Sequence, residues 1–148
     1  MAVEAGLQAR LVVNIEVFNH VTRISGAEAY RRVEAQSRSP LELVVMLYDG
    51  ALRFLGDARE ASDRSDRRGR ATAISKTMAI IAELQSTLNL DAGGAVAQEM
   101  DRLYTYVTER LVDASVKRDD TAIDEVRKLL ATVRSGWADV AAGAAATT

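Results

Sequence analysis

The residues able to carry chemistry are few, and their spacing limits what they can do. His20 is the only histidine. One imidazole cannot supply the paired Glu-x-x-His motifs of a di-iron bundle or an H-E-x-x-H zinc site. It reads as a structural or exposed residue. There is no cysteine, which removes disulfides, thiolate metal sites and cysteine nucleophiles. Gly93-Gly94 has no preceding strand and no Lys-Ser/Thr after it, so it reads as a turn and helix entry rather than a phosphate loop. Asp49 interrupts the greasiest stretch of the chain, SPLELVVMLYDGALRFL at 39–55. On a helix of about 3.6 residues per turn it shares a narrow sector with Glu42, Arg53 and Glu60. An Asp49–Arg53 pair at i, i+4 accounts for that sector as a solvated stripe. No catalytic, cofactor or metal site emerges, and an enzyme is the least supported class.

Charge narrows the partners. The net charge is −2 with both signs interspersed, which leaves no basic footprint for nucleic acid. The densest cationic run, Arg64, Arg67, Arg68 and Arg70, is broken by Asp63 and Asp66 and reads as a solvated helix start. The first residues, MAVEAGLQARLVVNIEVF, lack a basic leader and carry Glu4 and Glu16. Neither a signal peptide nor a membrane insertion is expected, and the expected location is the cytosol.

The elements that would position any site are helices. Proline occurs once, and apolar residues make up 48% of the 148 residues, enough for one core. Ser39-Pro40-Leu41-Glu42 is a helix start, with a cap, a proline at the first helical position and a glutamate that can reach back. That helix is expected to run to about residue 62. Ser65 or Asp66 caps the next, where Ile74, Met78, Ile81, Leu84 and Leu88 recur on one face as far as Asn89. After the Asp91–Gly94 turn, Val96, Met100, Leu103, Val107, Leu111 and Ala114 form the third stripe. Lys117 and Arg118 suit its C-terminal end. Asp119 or Asp120 caps the last helix, with Ile123, Val126, Leu130, Val133, Trp137 and Val140 inward. The expected fold is all-α: an antiparallel up-down four-helix bundle with a short additional N-terminal helix near Ala27–Gln36. The bundle domain is placed at 27–140. Residues 141–148 are expected to form a disordered tail. Residues 1–26 fit a helix through Leu7, Leu11, Ile15, Phe18 and Val21, or equally a strand through Val13, Ile15 and Val17.

The first long helix is apolar over roughly 200°, where about 100° suffices for a helix with one buried face. Leu41, Val44, Val45, Tyr48, Leu52 and Leu55 form the expected core arc. Leu43, Leu47, Gly50 and Phe54, with Met46 at the edge, form a second arc. Four covers are open for it: ordinary bundle core, the N-terminal segment, a second copy of the chain, or a foreign amphipathic helix.

Ala29-Tyr30-x-x-Val33, then Ser39-Pro40-x-x-Leu43-Val44-x-Met46-Leu47-Tyr48-Asp49-Gly50-Ala51, resembles the flagellar secretion chaperone family FliS. Glu83-Leu84-x-x-x-Leu88 continues the match. So do Gly93-Gly94-x-Val96-Ala97-x-x-Met100-x-x-Leu103-Tyr104-x-Tyr106, Arg110-Leu111 and Trp137. The resemblance implies no catalysis and no cofactor, and a monomer or weak homodimer is expected. Its implied partner is the C-terminal segment of newly made flagellin. It would prevent premature polymerisation and deliver flagellin to the export gate of the flagellar type III apparatus. It implies a groove of Leu43, Met46, Leu47, Gly50 and Phe54, covered by an N-terminal cap of Ile24, Tyr30 and Val33. Some helical chaperones sequester regulators, so a self-associating adaptor for an anti-sigma factor or co-chaperone is the competing reading. Residues 1–26 have no counterpart in the pattern and stand either as an upstream start or as an amphipathic flap. Asn89 replaces an acidic residue of the pattern.

Overall fold

The structure, a computed structural model, describes the chain from Pro40 to Ala146, with side-chain environments given for residues 41–143. Four helices fill this span: α1 (Pro40–Asp63), α2 (Arg67–Ser86), α3 (Leu90–Val116) and α4 (Asp120–Ala146). The three connections are short, so consecutive helices run antiparallel. Each helix packs on the next, and α4 closes the ring against α1. The fold is all-α. The expected short helix at Ala27–Gln36 and the Ser39 cap lie outside the described residues.

Local chemistry fixes the ends. Asp66 caps α2 by accepting the Gly69 N–H at 2.9 Å. Asp119 accepts the Thr121 N–H at 3.0 Å ahead of α4. Helix α1 is closed by Ser65, which takes the left-handed conformation at φ 59° while the Asp66 N–H donates back to the Ala61 carbonyl at 2.8 Å. Arg118 takes the same conformation after α3, at φ 53°. Glycine is the residue usually found at such positions.

Three boundaries differ from the sequence expectation. Helix α2 stops at Ser86 rather than near Asn89, because Asn89 is used as a cap and accepts the Ala92 N–H at 3.0 Å. The Asp91–Gly94 segment, expected as a turn, is therefore the first turn of α3. The break comes at Gly94, with φ 64° and ψ −147°, a region open almost only to glycine. Val96 sits just beyond this break and is 41% exposed, not inward as its spacing suggested. The tail expected from residue 141 is helical as far as Ala146, in line with the high helix propensity of its alanines.

The core is aliphatic. Leu55, Ile74, Ile81, Val107, Leu111, Ile123, Val126 and Leu130 are fully buried. Its polar content is concentrated on two tyrosines and Thr77, whose hydroxyl donates to the Ala73 carbonyl one turn back.

Candidate functional site

The buried positions of α1 include Leu41, Val44, Leu47, Tyr48, Ala51, Phe54, Leu55, Ala58 and Ala61. Plotted at about 3.6 residues per turn, they form one continuous face centred on Ala51 and Ala58. Both arcs read from the sequence border that line. One edge meets α4: Leu52 lines an open groove with Asp124, Arg127, Lys128 and Ala131. The other meets α2: a Cβ on Gly50 would lie 3.6 Å from Ile80 Cδ1. Of the second arc, Leu47 and Phe54 are buried, while Leu43, Met46 and Gly50 are half-buried. The Phe54 ring carries cations nearby, with Lys76 Nζ at 5.4 Å and Arg53 Cζ at 5.8 Å from its centroid, a cation–π geometry. Ile24, Tyr30 and Val33 lie outside the described residues.

Behind that face is the polar centre of the bundle. The Tyr48 and Tyr104 hydroxyls meet at 2.7 Å, joining α1 to α3 across the core. Trp137 of α4 lies beside the Tyr48 hydroxyl and favours its ionised form. Burial pushes the Tyr48 phenol up to about 12, against the lowering effect of Tyr104 and Trp137. Burial, and then the charge of a neighbouring tyrosinate, push Tyr104 well above the usual phenol value. The pair is therefore neutral at physiological pH and serves as a satisfied structural contact.

Asp49 is exposed and pairs with Arg134 of α4 through Nε at 2.8 Å, not with Arg53. Its sector faces the α1–α4 seam, and Arg53 turns to the Phe54 ring instead. The ends of α1, α2 and α4 meet on Asp120. This carboxylate accepts from the Ser62 hydroxyl, from Arg70 at 2.9 Å and from Arg59 at 3.0 Å. The Ser62 bond, followed by the nearby arginines, holds Asp120 below the usual carboxylate range. Arg110 reaches from α3 to Glu125 at 2.7 Å and to Asp113 at 3.0 Å. Glu125 also accepts from the Tyr106 hydroxyl. No three potential metal ligands converge among the described residues, and no helix there is long and apolar enough to cross a membrane.

A feature missed at the sequence level is the surface of α3. Among the described residues, the exposed large apolar side chains are Leu90, Val96, Tyr106, Val112 and Val116, all on this helix. Val112 and Val116 are one turn apart, and Val116 is 76% exposed. Neither belongs to the inward stripe, and that off-stripe position was the signal available in the sequence.

The matched pattern is decisive for kinship. A profile described as flagellar protein FliS matches residues 23–144, most of the chain and all of α1–α3. This chain belongs to the FliS family. The flagellar secretion chaperone FliSB of Pseudomonas aeruginosa is 38% identical over 107 residues, covering 71% of this chain and 85% of the relative. The flagellar secretion chaperone FliS of Salmonella typhimurium is 35% identical over 121 residues, covering 78% and 90%. That of Bacillus subtilis is 32% identical over 109 residues, covering 74% and 80%. FliS is a family of chaperones and not of enzymes, which fits the purely structural use of Tyr48, Tyr104 and the carboxylates described above.

Proposed function

We propose that this flagellar export chaperone takes the C-terminal segment of flagellin as its client in the cytosol. It keeps the client from polymerising early and delivers it to the flagellar type III export apparatus. The observation that carries this reading is the FliS match over residues 23–144. The client surface is assigned to the α1–α2 edge, where Leu43, Met46 and Gly50 form an accessible rim over buried Leu47 and Phe54. Residues 27–140 act as the chaperone domain, and the segment holding Ile24, Tyr30 and Val33 covers the rim when no client is bound. Completing the burial of half-buried Leu43 and Met46 contributes part of the roughly 1.5–3 kcal/mol of a fully buried side chain, and apolar groups of the client itself supply the rest of the about 2–5 kcal/mol needed to order a segment that is disordered when free.

Isothermal titration of the full chain with a peptide from the end of flagellin tests this directly. A 1:1 heat signal with a gain in helical circular dichroism is expected, and its absence sinks the client assignment. The exposed Val112 and Val116 favour a second reading, in which two copies associate through α3. Light scattering across concentration separates the two, since a strict monomer removes self-association.

A further inference from the structure

The end of the bundle opposite Pro40 holds a cavity of about 400 Å³ between the close of α1, the start of α2 and the close of α3. Its lining includes three guanidinium side chains, Arg67, Arg70 and Arg118, and three hydroxyls, Ser62, Ser65 and Ser115. Asp66 is the acidic residue of the lining. Its carboxylate is engaged with the Gly69 N–H and lies 3.7 Å from Arg64. Arg70 and Ser62 are committed to Asp120. Arg67 and Arg118 are not: among the described residues neither has a hydrogen-bond or ion-pair partner.

Both uncommitted arginines stand where local physics disfavours them. Arg67 opens α2, whose first turn holds no acidic residue and whose one compensating carboxylate is the N-cap Asp66, so its charge lies near the positive end of the helix dipole. Arg118 occupies a left-handed position at φ 53°, which a glycine would take without the steric cost of a Cβ. Two cations that are solvent-exposed and have no protein partner among the described residues thus border one concave site. Sequences that break local rules tend to do so where a side chain is used.

We propose that this cavity binds a small oxyanion, a phosphoryl or carboxylate group, gripped between Arg67 and Arg118 with Ser65 and Ser115 as neutral donors. The planar fork of a guanidinium matches two oxygens of such a group. The volume is that of a small-molecule site, and the lining has no aromatic residue to favour an apolar ligand. This assignment is independent of the client reading, which concerns α1 and α2 near Pro40.

The test is thermal denaturation and titration of the full chain with sodium phosphate and, separately, citrate, each against sodium chloride at matched ionic strength. An oxyanion-specific rise in melting temperature is expected. Arg67→Gln and Arg118→Gln should each weaken the apparent affinity about tenfold or more by removing a charge-assisted fork. Arg68→Gln, outside the lining, should leave it unchanged. Arg118→Gly should melt higher than the parent without ligand and yet lose the oxyanion-induced rise. A response to phosphate alone assigns a phosphoryl ligand, and one to citrate alone a carboxylate. Equal responses to chloride and to both oxyanions, or full retention of the rise in Arg67→Gln and Arg118→Gln, overturn the proposal.

Discussion

Helices α1 and α3 face each other across the bundle and divide their apolar residues in opposite ways. Helix α1 looks too greasy in sequence, yet Leu41, Val44, Leu47, Phe54 and Leu55 are buried. Helix α3 looks ordinary, yet it carries Leu90, Val96, Tyr106, Val112 and Val116 at the surface. The amount of apolar sequence therefore says little about apolar surface. What decides is how many neighbours a helix has and whether its off-stripe positions are polar. Helix α1 is flanked closely by α2 and α4, and small residues at Ala51 and Ala58 sit at the centre of its buried face. Helix α3 fills its inward stripe and leaves the surplus outside.

This contrast breaks most sharply at Phe54. Phe54→Asp places a carboxylate in the α1–α2 seam and should cost on the order of 3–5 kcal/mol or prevent folding, as cavity and desolvation effects add. Urea denaturation followed by circular dichroism measures it. Leu43→Asp, on the half-buried rim, should leave the bundle folded while weakening flagellin-peptide binding. Unfolding of Leu43→Asp would place the rim in the core.

Next in size is the contact that joins the two helices. Tyr48→Phe leaves the buried Tyr104 hydroxyl without its partner and should cost about 1–3 kcal/mol. The Tyr48→Phe/Tyr104→Phe double variant should recover part of that loss, and a double-mutant cycle gives the coupling. Additive losses would show that the hydroxyl pair does not act as a unit. The same pair sets an alkaline limit. Both folded-state values lie above the unfolded phenol value, so their contribution is complete below the unfolded pKa of about 10. It is lost as pH rises from there through about 12 for Tyr48. Absorbance of tyrosinate should rise for these two residues together with unfolding, not before it.

On α3 the stability effects should be smaller. Val116→Asp should change stability by less than about 0.5 kcal/mol, as expected of an exposed position, while suppressing any self-association seen by light scattering. Comparably small is the effect at the seam of α1 with α4. Asp49→Asn removes an exposed pair with Arg134 and should cost roughly 0.2–1 kcal/mol, less in high salt. A loss beyond that range would mean that the seam depends on this pair.

Much of the architecture was legible in the chain because period and caps are local signals. The stripes through Ile74, Ile81 and Leu84 and through Ile123, Val126, Leu130 and Trp137 are buried as their spacing required. Pro40 and Asp66 mark real helix starts. The failures are tertiary. Asn89 and Gly94 redraw the entry to α3 because a cap and a left-handed glycine can share one segment. Asp49 has two cationic candidates, and only the approach of α4 selects Arg134 over Arg53. The α1 surface was legible as an apolar sector, but its partition between core and rim depends on α2 and α4, which no wheel of α1 contains. The strain at Arg118 was invisible, since nothing in the sequence marks a left-handed arginine.

Trp137 has a consequence for experiment as well as for packing. It is the chain's single tryptophan, it is 7% exposed, and it lies beside Tyr48, whose hydroxyl meets that of Tyr104. One native fluorophore thus reports on α1, α3 and α4 at once. Its emission should be blue when the bundle is closed and shift to the red when any of the three helices leaves. The protein carries its own optical gauge, readable without a label and without touching either surface proposed for binding.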